Sequence, residues 1–492
     1  MSKIYLIYPK KKSVIAPELY GHFVEHIGGV IYDGVWVGKD SNIENQNGFR
    51  SFIIEKLKHI KTPVIRWPGG CFAEIYDWRD GIGKNRPIRY SWWTVCDEKY
   101  ESNAVGTHEF VDFCRLTGAK PYFAVNVTSA DVMDAFKWMD YCMSPAKTTS
   151  LSQERANNGE KEPFSIPFWG IGNENWGGGG NMRPEYYADI YRRFSTVAAK
   201  QPWDIKLIAG GADGADYNWT HKFCENTENS LRRMSGYSFH YYTHTHDHVL
   251  EYTRDDWYDV IRRGLQIEEL INRHWAIISG HGMCDCAKLV IDEWGIWHQQ
   301  NHCAPSNGEH LFEQQSTMRE AVHAAMSLNI FNNHCDKIMM ANVAQLVNNI
   351  HSLFLSYGKD CIVTPTYYVF DMYKNHQGAR LIETVTECTE QTFFEGDTEY
   401  KISNINVSAS EKDGKITITA ANLSYDNDEK IDLEFLGKSM PDEFKVTMLT
   451  AKDCHDCNTF ENPDSIIPVS CSIKGNTVTI PKASVAMLEF TV

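Results

Sequence analysis

Eight short apolar segments, each followed by a stretch with helical spacing, limit the possible folds of this chain more than any other feature. They occupy residues 19–24, 63–66, 121–127, 167–173, 206–210, 236–242, 288–293 and 337–341. Between them apolar residues recur every three to four positions, most clearly over 49–60, 108–116, 131–141, 184–199 and 310–331. Thr107, ahead of His-Glu-Phe, suits a helix start, and Pro184 suits a first helical turn. Continuous apolar strands belong in a parallel sheet covered on both faces. Eight strand–helix units predict an α/β protein of the (β/α)8 TIM-barrel type. A doubly wound open sheet fits less well, because it seldom needs eight units over roughly 350 residues.

Beyond residue 377 or so the texture changes. Segments 380–386, 400–407, 415–421, 430–435, 444–449, 477–480 and 486–492 alternate apolar and polar residues, with turn signals such as Lys412-Asp-Gly414 between them. This spacing predicts a C-terminal antiparallel β-sandwich domain. A lone strand at residues 3–7 is cut off by Pro9 and Lys10 to Lys12 and has no barrel partner, so it is expected to pair into the sandwich. A length of 492 residues accommodates both parts. The expected division is 1–17 for the N-terminal strand, 18–376 for the catalytic barrel and 377–492 for the sandwich.

Net charge is −16 and the pI about 5.6, with no clustered basic face, which argues against nucleic acid as a partner. Residues 1–8 are too short and polar for a signal peptide, and no run reaches the roughly 18 apolar residues of a membrane span. Fourteen cysteines show no regular spacing. Reduced thiols in a cytoplasmic protein are therefore expected over a disulfide framework.

In a barrel the reacting side chains come from the C-terminal strand ends. Residues 167–180 read Pro-Phe-Trp-Gly-Ile-Gly-Asn-Glu-Asn-Trp followed by four glycines, which places Glu174 at the end of the fourth strand. Residues 288–295, Lys-Leu-Val-Ile-Asp-Glu-Trp-Gly, place Glu293 at the end of the seventh. Glycoside hydrolysis requires such a pair, one carboxyl to protonate the leaving oxygen and one to attack or to activate water. Two solvated loop glutamates would be the bland alternative, but their matching strand-end placement counts against it.

Asn173 is placed to hydrogen-bond a sugar hydroxyl or to cap a turn. The glycines 177–180 lack a following Lys-Ser/Thr, so a loop passing close to substrate is expected rather than a phosphate cradle. Other strand ends offer Glu25, Arg66 with Cys71, Asn126, and the run His240, Tyr241, Tyr242. Arg66 either touches substrate or neutralises the glutamates, and a tyrosine beside a nucleophilic carboxylate would hold it in place. Trp92 and Trp93 either stack on a sugar or cap the barrel mouth. Histidines 240, 244, 246 and 248 lack a partner zinc motif, and Cys454-x-x-Cys457 and Cys284-Asp-Cys286 read as structural thiols. Neither a metal nor a cofactor is expected.

These residues resemble the α-L-arabinofuranosidases of glycoside hydrolase family 51. The resemblance runs through Tyr-Gly-His-Phe-Val-Glu-His at 20–26, Ile-Tyr-Asp-Gly-Val-Trp-Val-Gly at 31–38, Arg-Trp-Pro-Gly-Gly at 66–70 and Tyr-Asp-Trp-Arg-Asp-Gly-Ile-Gly at 76–83. It continues in Gly-Thr-His-Glu-Phe at 106–110, Gly-Asn-Glu-Asn-Trp-Gly at 172–177, Ile-Asp-Glu-Trp-Gly at 291–295 and Ala-Gln-Leu-Val-Asn at 344–348.

The resemblance implies a retaining, exo-acting hydrolase of terminal α-L-arabinofuranosyl groups, with Glu174 as acid/base and Glu293 as nucleophile. Glu25, Asn173, Gln345 and one of Tyr241 and Tyr242 would contact the furanose, and Cys71 stands where members vary between Asn and Cys. Arabinofuranosyl oligosaccharides would be the partners, and a homo-oligomer, commonly a hexamer, the assembly. Retention requires carboxyls about 5 Å apart, inversion roughly 6.5–9.5 Å. The rivals are a hydrolase of the same clan acting on xylosides or β-glucans, and a catalytically inactive carbohydrate-binding relative.

Overall fold

The computed structural model describes residues 2–91, 100–227, 233–439 and 441–491. Its eight parallel strands Gly21–Phe23, Val64–Trp67, Lys120–Val125, Phe168–Ile171, Lys206–Asp213, Gly236–Thr245, Lys288–His298 and Ile338–Val343 pair in chain order, and the last closes on the first. Every apolar segment singled out in the sequence is a strand of this barrel. Val64, Tyr122, Phe168, Ile208, Val290 and Met340 form one buried cluster within it. Alternate strand residues such as Trp67 and Trp169 turn the other way and join the larger core beneath the helices.

The sixth and seventh strands run further than the sequence indicated. Each supplies the other with partners from His240↔Glu293 to Thr245↔His298, so Glu293 lies inside its strand rather than at its end. The helix expected over 310–331 begins only at Met318 and runs to Asn333. Thr317 starts it: its side chain accepts from the Arg319 N–H, while Glu320 reaches back to the Thr317 N–H at 2.7 Å. Upstream, Glu313 is drawn instead to the Ser306 N–H at 2.9 Å. The helix expected at 49–60 likewise starts at Ser51, because Phe49–Arg50 pairs with Asn45–Gln46.

The C-terminal part is a nine-stranded sheet ordered Val469–Lys474, Glu443–Leu449, Ser484–Thr491, Lys415–Asn422, Ile405–Lys412, Arg380–Glu387, Ser2–Val14, Glu429–Leu436, Thr477–Ile480. Its pairings are antiparallel except that Ser2–Val14, antiparallel to Arg380–Glu387, runs parallel to Glu429–Leu436. The sheet folds over its own core, so that Phe435 meets Phe490 edge-on at 5.9 Å, which makes it a sandwich. The segment read as one strand at 400–407 breaks at buried Asn404, whose amide donates to Glu429 at 2.6 Å. A separate hairpin, Glu390–Glu395 with Thr398–Ser403, precedes that break. Among the described residues no helix is long and apolar enough to cross a membrane. All thirteen described cysteines are free thiols.

Candidate active site

Glu174 and Glu293 meet over His240. One oxygen of each carboxylate and a ring nitrogen of the histidine lie within 4.8 Å of one another. His240 Nδ1 is 2.8 Å from Glu174 Oε1 and 3.5 Å from Glu293 Oε2. Glu174 sits at φ +42°, a left-handed conformation that costs a non-glycine residue energy and recurs at functional turns. Its side chain is 18% exposed and that of Glu293 only 6%, so the first faces the barrel mouth and the second lies deeper.

Glu293 is held from two sides. Arg66 Nη1 donates to its Oε1 at 2.6 Å and the Tyr242 hydroxyl to its Oε2 at 2.6 Å. Burial alone would raise its pKa, but the charges of His240 and Arg66 and the two hydrogen bonds outweigh that and hold it below the usual carboxylate range. Burial raises the Tyr242 phenol well above its ordinary value, and the Glu293 charge adds to this, so the phenol keeps its proton and donates. His240 is buried, which favours neutral imidazole, yet the charge of Glu293 and the bond to Glu174 raise its pKa. Arg66 also donates to Asn173 Oδ1. Beside it lies Asp292, itself held by Tyr122 Oη at 2.8 Å and Asn342 Nδ2 at 3.1 Å.

Around this pair stand Glu25, Cys71 and Gln345. Glu25 accepts from the Phe72 N–H at 2.9 Å and from Gln345 Nε2 at 3.0 Å. Gly70 permits the approach, since a Cβ there would lie 2.5 Å from Glu25 Oε2. Burial, reinforced by the nearby charge of Glu293, pushes Glu25 up to about 8. Cys71 Sγ lies 3.5 Å from Glu174 Oε2 and 3.8 Å from Asn173 Nδ2. Burial and the surrounding carboxylates push its pKa up, so it stays a thiol.

The structure gathers Glu25, Arg66, Cys71, Asn173, Glu174, His240, Tyr242, Glu293 and Gln345 at one end of the barrel. Two other candidates are corrected. Tyr241 points outward, its hydroxyl donating to the Arg263 carbonyl at 2.6 Å and to Gln266 Oε1 at 3.0 Å on the covering helix Arg254–Gly280. Neighbours on a strand face opposite sides, so Tyr242 alone reaches Glu293. Asn126 spends its amide locally: Nδ2 donates to Tyr76 O and Ser129 Oγ, and Oδ1 accepts from the N–H groups of Thr128, Ser129 and Ala130. Trp93, with Trp92, lies outside the described residues. The glycines 177–180 were expected beside substrate; two of them instead fit the loop against the strand end. A Cβ at Gly179 would meet Asn173 O at 1.6 Å and one at Gly178 would meet Cys71 Sγ at 2.7 Å.

Of the histidine run, His244 bonds Gln299 at 2.8 Å and His248 caps the Leu250 and Glu251 N–H groups. The donor groups that crowd closely enough to hold an ion, among the described residues, are Glu174–His240–Glu293 and Asp453–Cys454–His455. In the first, Arg66 already neutralises Glu293. In the second, His455 bonds Asp453 and the Tyr252 carbonyl. The sequence did not point to Asp292, Tyr122 or Glu74. Glu74 is 1% exposed and accepts from the N–H groups of Val127, Thr128 and Asn173 and from Asn175 Nδ2 at 2.7–2.9 Å. Burial raises its pKa against the pull of those four donors.

Known proteins resemble this chain along nearly its whole length. Residues 56–262 match the α-L-arabinofuranosidase 1 domain and residues 292–484 the α-L-arabinofuranosidase C-terminal domain. An intracellular exo-α-L-arabinofuranosidase of Bacteroides ovatus is 36% identical over 97% of this chain and 93% of its own. The family 51 arabinofuranosidase of Xanthomonas axonopodis pv. citri superposes with a TM-score of 0.91 at 35% identity, over 99% of this chain and all of that one. The α-L-arabinofuranosidase of Thermotoga maritima, solved with arabinose, gives 0.83 at 28% identity over 100% of both chains. The chain is thus a barrel-and-sandwich member of the glycoside hydrolases. It belongs to the α-L-arabinofuranosidases of glycoside hydrolase family 51.

Proposed function

We propose that this chain releases terminal non-reducing α-L-arabinofuranosyl groups from oligosaccharides and polysaccharides, with retention, by double displacement. The observation that carries the mechanism is the approach of Glu174 and Glu293 oxygens to within 4.8 Å. A carboxylate can then attack the anomeric carbon itself, whereas inversion leaves a gap of roughly 6.5–9.5 Å for water. Arg66 and Tyr242 keep Glu293 ionised and fix both its oxygens. Glu293 attacks as the bond to the aglycone oxygen breaks, and that oxygen takes the proton of Glu174. Water then gives a proton to Glu174 and attacks the anomeric carbon, which frees arabinose and Glu293. This chemistry requires no cofactor. Glu25, Cys71, Asn173, His240 and Gln345 are the groups we assign to the bound furanose.

Proton NMR of the first sugar released tests the mechanism. The α-anomer is expected, and initial release of the β-anomer would exclude Glu293 as nucleophile. A panel of 4-nitrophenyl glycosides tests the sugar: turnover is expected on the α-L-arabinofuranoside, and preference for a β-xyloside or β-glucoside would overturn the assignment. By family resemblance we also infer a cytoplasmic homo-oligomer, a hexamer in the family's common form. The functional division is 1–17, 18–376 and 377–492, with the first segment completing the sandwich.

A further inference from the structure

Glu174 acts, in the function proposed above, from a left-handed backbone position at a loop tip. Among the described residues its side chain touches only His240 and Cys71 by hydrogen bond, so little in the side chain fixes where the carboxyl points. The backbone on either side of it is held by another carboxylate. Glu74, on the short helical turn Cys71–Ile75, accepts through Oε1 from the Asn173 N–H at 2.7 Å and from Asn175 Nδ2 at 2.9 Å. Its Oε2 accepts from Val127 N at 2.7 Å and Thr128 N at 2.9 Å, beyond the third barrel strand. Asn175 Nδ2 and Thr128 Oγ1 both then reach Gly179 O, at 2.7 and 2.6 Å. One buried carboxylate therefore ties the residues before and after Glu174 to the loops that follow the second and third strands.

We propose that Glu74 is a positioning residue for Glu174, setting the direction of the acid/base carboxyl through the backbone of residues 173–175. All four of its partners are donors, so only an ionised carboxylate satisfies them. Glutamine has the same shape but would aim an NH2 at one of the two donor pairs, losing two of the four bonds and setting N–H against N–H. Aspartate keeps the charge but is a methylene too short to span both loops. The role is thus confined to a carboxylate of this length, which packing alone would not demand.

The inference rests on Glu174 being the acid/base, and the test separates the two. Misdirection of an acid slows substrates with poor leaving groups, which need the proton, and spares those with good ones. Glu74→Gln, shown to be folded by circular dichroism, should lose about 10²-fold more kcat/KM on an arabinosyl xylo-oligosaccharide than on the 4-nitrophenyl arabinofuranoside, as for a group displaced by about 1 Å. Glu174→Ala is the reference and should show the same selectivity more strongly, with azide accelerating the aryl substrate. Equal losses on both substrates in a folded Glu74→Gln, with Glu174→Ala selective, would overturn the inference alone. No selectivity in Glu174→Ala would remove the acid/base reading and this inference with it. If Glu74→Gln does not fold, Asn175→Ala decides, because it loosens the same turn while leaving Glu74 three donors. A smaller loss confined to poor leaving groups is then expected, and a uniform loss overturns the proposal.

Discussion

Glu25 is ionised in an unfolded chain above pH 4.5, but in the fold burial and the charge of Glu293 push it up to about 8. Folding therefore takes up a proton between those values, and stability attached to Glu25 is complete below pH 4.5 and drains away as pH rises to about 8. Glu25→Gln cannot titrate. Its amide can be accommodated because Gln345 Oε1 is buried without a partner among the described residues and can accept from it once the Gln345 amide turns over. The melting temperature of the variant relative to the parent should therefore climb from pH 5 to pH 8 and level off above; a flat difference would show Glu25 ionised in the fold.

Tyr242→Phe removes one of the donors that hold Glu293 low. The acidic limb of kcat/KM should move to higher pH and the rate fall about 10- to 100-fold, the worth of a hydrogen bond to a charged group. Tyr241→Phe, outside the site, should leave the profile in place. Sequence could not choose between these tyrosines. Phe239 and Tyr241 turn toward the covering helices while His240 and Tyr242 turn into the barrel, an unbroken alternation; the residue that shifts the pairing here is Asp292 of the seventh strand, and aromatic residues on both faces of the sixth leave its inner face unmarked in the sequence. Glu174 and Glu293 were legible because apolar strands lead into them. Glu74, Asp292 and Tyr122 were not, since each is defined by partners roughly 50 to 170 residues away that only the barrel brings near.

At the scale of elements, legibility followed burial. The barrel strands stood out because they are apolar on both faces. Val469–Lys474 went unseen because it is exposed along nearly its whole length; Glu390–Glu395 went unseen, and its partner Thr398–Ser403 was merged with the next strand, because their hairpin buries only Phe393 and Ile402 fully. A strand without a buried face has no period to detect. The same contrast orders their energetic weight. Ser2–Val14 is bonded on both sides, and its Leu6 is fully buried in the sandwich core. Leu6→Ala should cost about 2–5 kcal/mol, the usual range for truncating a core leucine. Val469→Ala, on an edge strand and 63% exposed, should change stability by no more than about 0.5 kcal/mol. Chemical denaturation of the two variants checks this, and comparable losses would mean that the N-terminal strand is dispensable to the sandwich.

Across the whole molecule, barrel and sandwich share one core. Ala421, Leu423, Leu449, Val485 and Met487 of the sandwich belong to the same buried apolar cluster as the barrel's helix-facing strand residues. The helix Met318–Asn333 lies against the strands Ile405–Lys412 and Lys415–Asn422, and the asparagines of its C-terminal half are spent there. Asn329 Oδ1 accepts from Ser408 Oγ at 3.1 Å and Thr419 Oγ1 at 2.8 Å, and Asn332 Nδ2 donates to Ser408 at 3.0 Å. His376 bridges Ser410 and Thr419 at 2.8 and 2.9 Å, and Trp257 Nε1 donates to Leu423 O at 2.9 Å. Without the sandwich these six hydrogen bonds are exchanged for bonds to water, at about 0.5–1.5 kcal/mol each, and the apolar cluster opens to water as well. Together the two losses rival the whole stability of an ordinary domain, about 5–15 kcal/mol. The two parts should therefore unfold together. A urea titration followed by far-ultraviolet circular dichroism and by tryptophan fluorescence is expected to give coincident curves, although the sandwich holds much of the strand and every tryptophan precedes residue 377 in the sequence. A fragment ending at residue 376 should fail to fold. Two separated transitions, or a soluble barrel fragment with arabinofuranosidase activity, would show that the interface is a contact between independent domains.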